Sequence, residues 1–173
     1  MKILILALTL VLSQAFAVEL ITKESQFFHD KTVTMVKKFL KKKKLKVFSV
    51  IDHHKGAKKV KLNLDKTSLI IFGNPKVGTL MMQDNQLVGL DLPMKILVHT
   101  SANKTKVTYK DISFLKNQYK LSSKLDGKFS KIEKLFERVA EHVGSEEVKS
   151  KPKKKSKKKK NKSKEESEIK SYD

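Results

Sequence analysis

The stretch from Leu69 to Val98 constrains this chain most, because it holds two corners that no regular helix or strand runs through. Leu69-Ile70-Ile71-Phe72 is an apolar run, and Gly73-Asn74-Pro75 ends it. An apolar segment follows to Met82, and Leu90-Asp91-Leu92-Pro93 turns the chain into a second run, Met94 to Val98. Pro75 disfavours helical geometry at Asn74. Asn74 is therefore suited to cap a helix that has Pro75 at its first position. Gly73 allows close backbone approach or a positive φ. Free N–H groups at such a helix start offer an anion site, and the alternative is a capped turn with no ligand. The stretch is no phosphate loop, since the glycine spacing and the lysine-threonine pair are missing.

The elements on either side follow from periodicity. Val18 to Thr22 suits a first strand. Asp30 is placed to cap a helix whose inner face is Val33, Val36, Phe39 and Leu40, with Lys37, Lys38 and Lys41 outside. Lys41 to Lys44 fall in its last turn, where cations favour the helix dipole or form a polyanion patch. Lys46 to His53 reads as a strand, and Ala57, Val60 and Leu64 suggest a short helix or turn after Gly56. Thr67 to Phe72 is expected as the central strand, buried on both faces. Met94 to Thr100 and Thr105 to Lys110 form a hairpin across Ser101 to Lys104. A short helix is expected within Asp111 to Leu121. Phe129, Ile132, Leu135, Phe136, Val139 and Val143 line a last helix, with Gly144 just past its end. The sum is an α+β fold: a compact two-layer domain, residues 18–144, with a small sheet packed on helices.

The two ends differ from this middle. Met1-Lys2, an apolar run from Ile3 to Leu12 and Ala15-Phe16-Ala17 make a secretory signal peptide, with cleavage after Ala17 and Val18 as the mature start. The run is shorter than the ~20 apolar residues that span a bilayer. The expected location is therefore periplasmic or secreted. Lys149 to Lys164 holds eleven lysines and no apolar residue. Residues 145–173 are thus expected as a disordered lysine-rich tail. Lys153, Lys154, Lys155, Lys157, Lys158, Lys159 and Lys160 are its polyanion-binding candidates, toward an anionic envelope polymer or a lipid surface.

Charge and cysteine content exclude several classes. The net charge is +21, and Arg138 is the only arginine. Lysine is a hydrated point charge without the fork that clamps phosphates and reads guanine. Together with the signal peptide, this disfavours a nucleic-acid partner. With no cysteine, disulfides, thiolate metal sites and a cysteine nucleophile are excluded.

Ile51-Asp52-His53, Thr67 to Pro75, Gly78-Thr79-Leu80-Met81-Met82 and Gly89 to Lys95 together resemble the domain of unknown function 302 family. The resemblance covers Ser49 to Asp111 best. It implies a compact two-layer domain of helices and strands, and no assigned activity. His54-Lys55 departs from the small residues that family members usually carry there, and the lysine tail is an addition.

Polar residues beside the two corners supply the ligand-binding candidates: His53, Gly73, Asn74, Asp91 and Lys95. Asp91 either bonds its own turn or shares a pocket with Asn74, and Lys95 pairs with Asp91 or faces solvent. The expected role is a non-enzymatic exported module for a small ligand or anion, with no cofactor and no metal. His53 and His99 could share a metal only on neighbouring strands, and zinc or copper would want three or four donors. The competing readings are a tail-anchored envelope-association protein with a purely structural domain and, behind it, an enzyme using His53 and Asp91 as base and acid. An exposed strand edge would allow a homodimer.

Overall fold

The structure is a computed structural model that describes residues 20–144. The expected signal peptide with its cleavage between Ala17 and Val18, and the expected lysine-rich tail, lie outside the described residues. In chain order the elements are β1 (Leu20–Glu24), α1 (His29–Lys42), β2 (Lys46–Asp52), α2 (His53–Lys59), β3 (Thr67–Gly73), α3 (Pro75–Asp84), β4 (Met94–Ser101), β5 (Lys104–Lys110), α4 (Ser113–Gln118) and α5 (Asp126–Gly144). Short 3₁₀ turns cover Gln86–Leu90 and Ser123–Leu125. The strands form one antiparallel sheet in the order β1-β5-β4-β3-β2. The fold is α+β, as the pattern of elements predicts.

The apolar stripes of α1 and α5 cover one face of this sheet. Val36 and Leu40 of α1 and Phe136, Val139 and Val143 of α5 meet Ile70, Phe72, Ile96, Val98, Val107 and Tyr109. The Tyr109 ring stacks on Phe136 at 4.3 Å, and Phe72 meets the same ring edge-on at 6.0 Å. A second cluster sits beyond the sheet at the corner end, with Met81, Val88, Ile112, Leu115, Leu121, Leu125 and Phe129.

Several expectations are corrected. β4, not β3, is central. β3 alternates between buried Ser68, Ile70, Phe72 and half-buried Thr67, Leu69, Ile71, so only one of its faces is covered. Its unbroken apolar run reflects an open sheet face that is partly apolar. Asp30 is not the cap of α1. Phe28 holds that position, and the Asp30 carboxylate is drawn to Lys66 Nζ at 2.5 Å and His29 Nδ1 at 3.0 Å. β2 stops at Asp52, and α2 begins at His53 with Gly56 inside it. α5 runs to Gly144 itself.

The hairpin is tighter than expected. Ser101 pairs with Lys104, leaving Ala102 and Asn103 as a two-residue turn with φ of 50° and 61°. Positive φ at both positions matches the twist of the flanking strands. At the opposite sheet end β2 carries a bulge, because Val47 pairs with Phe72 and Ser49 with Ile71. Phe48 is the extra residue, and the bulge re-aims its ring.

Candidate functional site

The two corners meet. Asn74 caps α3, its side-chain oxygen accepting from the Lys76 N–H at 3.0 Å, with Pro75 at the first helical position. Gly73 sits where a Cβ would lie 3.4 Å from the bulged Phe48 ring and 3.7 Å from Pro93. Gly78, one turn into α3, faces Leu92 in the same way at 3.7 Å. Small residues on the first corner thus allow the second corner, and Phe48, to approach closely.

Between these parts lies a cleft of about 360 Å³. Phe48, Phe72, Met81, Met82, Leu92 and Met94 form its walls, with Gly73 and Asn74 at one side and Ile132 and Leu135 of α5 below. Methionine, phenylalanine and aliphatic side chains make up most of the lining, and methionine adapts to irregular apolar shapes. The first N–H groups of α3 are already used: Lys76 donates to the Asn74 side chain, and Val77 and Gly78 donate to its carbonyl. That leaves the corner poorly suited to an anion and the cleft suited to an apolar body.

Asp91 and Lys95 do not line this cleft. They border a separate hollow of about 230 Å³ on the open sheet face, beside Leu69, Leu97 and Phe114. Asp91 accepts from the Tyr119 hydroxyl at 2.7 Å and from Lys110 Nζ at 3.1 Å. Burial pushes its carboxyl upward, but the bonds from Tyr119 and Lys110 outweigh that and hold it below the usual range. Lys95 donates to the Asp91 backbone carbonyl at 2.9 Å. Burial lowers the Lys95 ammonium from its ordinary value, against the pull of Asp91. The pair therefore clamps the second corner to α4 and β5, and Asp91 is an anion there rather than a proton donor.

His53 belongs to neither hollow. It follows Asp52, which pairs with Ser68 at the start of β3, whereas the corners lie past Phe72 and before Met94. Four strand residues, or about 13 Å at ~3.3 Å each, separate those pairs. A base and an acid must share a substrate atom directly or through one water, so His53 and Asp91 cannot act together. β3 also lies between His53 and His99, a separation of about 9.6 Å for two strand spacings. They do not share a metal. Among the described residues no group of three or more histidine, aspartate or glutamate side chains is arranged to hold one.

The histidine end holds a polar network that sequence reasoning missed. His29 Nε2 donates to the Val98 carbonyl at 3.2 Å, and its Nδ1 faces Asp30. Its ring lies 5.9 Å from that of His54, edge to face. His54 Nδ1 and Asp52 Oδ1 are 2.5 Å apart, yet aligned too poorly to count as a hydrogen bond. The Lys66 bond, then the His29 bond, lower the Asp30 carboxyl to about 2. For Asp52, burial pushes upward, and the Lys55 bond and the His54 charge bring it below the usual value. His54, not His53, is thus the inward histidine. Helical geometry beginning at His53 turns the second ring toward α1, which a strand reading of the same dipeptide cannot show.

Comparison with known proteins agrees with this architecture. Over 108 residues the chain is 38% identical to "Fluoride-specific ion channel FluC 1" of Brucella suis, covering 62% of this chain and 42% of that protein. The same identity and span hold for "Fluoride-specific ion channel FluC 2" of Brucella melitensis, at 40% of its length. The chain thus spans about two fifths of the length of these curated relatives. The crystal structure of an uncharacterised conserved DUF302 protein from Bacillus stearothermophilus superposes with a TM-score of 0.66 at 19% identity, covering 73% of this chain and 99% of that one. Shared fold is what that likeness establishes. The family model described as "Domain of unknown function DUF302" matches residues 21–139, and the chain belongs to that family.

Proposed function

We propose that this protein is an exported, non-enzymatic binding module that takes a small apolar molecule into the cleft between its two corners. The observation that carries this reading is the cleft itself: about 360 Å³, walled by methionine, leucine and phenylalanine, at the junction of Gly73-Asn74-Pro75 with Leu92-Pro93. Ligand sites are typically concave and largely apolar, with few polar groups. Of the polar candidates only Asn74 borders it. The leader composition of Met1 to Ala17 supports export. The channel named in the Brucella relatives is not carried over. This chain matches only part of them, and no helix among the described residues is long and apolar enough to cross a membrane.

An apolar fluorophore, N-phenyl-1-naphthylamine, tests the cleft. Its emission should rise on titration with the full chain. The rise should be lost in Gly78→Leu, whose added side chain points at Leu92 across the cleft. It should persist in Gly127→Leu, where nothing lies within 4 Å of the new Cβ. Equal binding by both variants, with folding checked by circular dichroism, overturns the reading.

The tail supports a second, compatible role. Eleven lysines between Lys149 and Lys164, each worth about 1 kcal/mol near an anionic surface, suit salt-sensitive attachment to an envelope polymer or lipid headgroups. Envelope fractionation that is unchanged after deletion of that segment refutes it.

A further inference from the structure

We infer that the sheet end opposite the cleft is a membrane-docking tip, built to rest on an anionic lipid surface. Four large apolar side chains project there: Phe28 at 88% exposure, Val60 and Leu62 at 65%, and Leu64 at 49%. They share one end of the molecule. Phe28 precedes His29, which bonds the Val98 carbonyl and faces the His54 ring. The loop carrying the other three joins α2 to β3, and its Lys66 carbonyl accepts from the Thr100 N–H at 2.9 Å.

Exposed apolar side chains in one place mark an interaction surface, and the charge pattern says which kind. Lys58, Lys59 and Lys61 alternate with Val60 and Leu62 and make no ion pair among the described residues. Lys55 and Lys66 neutralise Asp52 and Asp30 behind them. Asp65 is the one remaining carboxylate of the loop. Apolar side chains that enter the acyl boundary, between lysines that meet anionic headgroups, are the composition of an interfacial anchor.

The loop also has a fixed shape. Val60 and Leu62 N–H groups both donate to the Ala57 carbonyl, and Lys61 donates to Lys58 with a φ of 59°. This closed turn ends α2 and presents Val60 and Leu62 outward. Little ordering entropy is then lost on contact. Docked this way, the tip faces the bilayer and the cleft remains in water at the far end. The lysine tail is a separate contact and leaves the assignment of the tip unchanged.

The chain has no tryptophan, so a single one reports depth cleanly. Full-length Leu62→Trp should shift to shorter emission wavelength with phosphatidylcholine vesicles doped with phosphatidylglycerol, and brominated acyl chains should quench it. Leu87→Trp, at an equally exposed site (64%) on the corner end, should do neither. Neutralising Lys58, Lys59 and Lys61 with glutamine should weaken partitioning about fivefold per lysine. Quenching at neither position overturns the tip, since the tail alone would then account for binding, and equal quenching at both overturns it because insertion would not be confined to this end. A Leu62→Trp emission that depends on protein concentration without vesicles also overturns it, in favour of contact between two copies.

Discussion

The two ends of one sheet are finished in opposite chemistries. At the corner end, β3 and β4 run into prolines, glycines and methionines, and the apolar side chains there are held by burial, with Asp91 fixed beside them by Tyr119 and Lys110. At the histidine end Asp52 of β2 pairs with Ser68 of β3 and Thr67 of β3 with His99 of β4, flanked by His29 and His54, and the Asp30–Lys66 and Asp52–Lys55 ion pairs do the holding. Non-directional packing tolerates an open cleft, because a missing neighbour costs only contacts. A buried polar group loses more at such a gap, because an unmade hydrogen bond costs more than the contacts of equal area, and the misaligned His54 Nδ1 and Asp52 Oδ1 are the exception at this end. The concave site therefore lies at the apolar end, and the closed, ion-paired end supports an exposed loop.

The contrast breaks first if the corner end does not depend on burial. Met81 is 1% exposed and belongs to the second apolar cluster, so Met81→Ala should destabilise by about 2–5 kcal/mol. Denaturant melts should show that loss unchanged by salt. A smaller effect is expected at the cap. Asn74→Ala removes the acceptor for the Lys76 N–H and should cost about 1 kcal/mol, read as a lower denaturation midpoint with unchanged slope.

The smallest effect concerns acid. Asp30 titrates at about 2 in the folded protein against 3.8 when unperturbed. Its carboxyl is depressed, so its contribution is complete above the unfolded value and disappears as pH falls through the folded one. Thermal midpoints should drop between about pH 4 and pH 2. Asp30→Asn should make that drop shallower, by a modest amount because the group is largely exposed. His99 and His142 add a milder trend at higher pH. Burial, and then Lys106 for His99 and Lys42 for His142, lowers each below 6.5. The unfolded chain takes up those protons first, so stability should ease downward as pH falls below about 6.5.

Local signals were readable where neighbours in sequence are neighbours in space. The Asn74-Pro75 cap, the last helix with its Phe129 to Val143 stripe, and the hairpin around Asn103 all rest on contacts within a few residues. The candidate site was readable only in part. The two corners do adjoin, but Asp91 finds Tyr119, 28 residues later, and leaves Asn74 to the cleft. Phe48 reaches Gly73 through a bulge that no composition of β2 announces.

By itself the sequence determined the α+β class, the two corners and which helix faces are apolar, because capping, turn chemistry and periodicity are short-range. Only the tertiary structure decided that β3 keeps one face open, that His54 and not His53 turns inward, and that the cleft is apolar. Those outcomes depend on strand order and on where α2 begins, and both are set by packing between residues far apart in the chain.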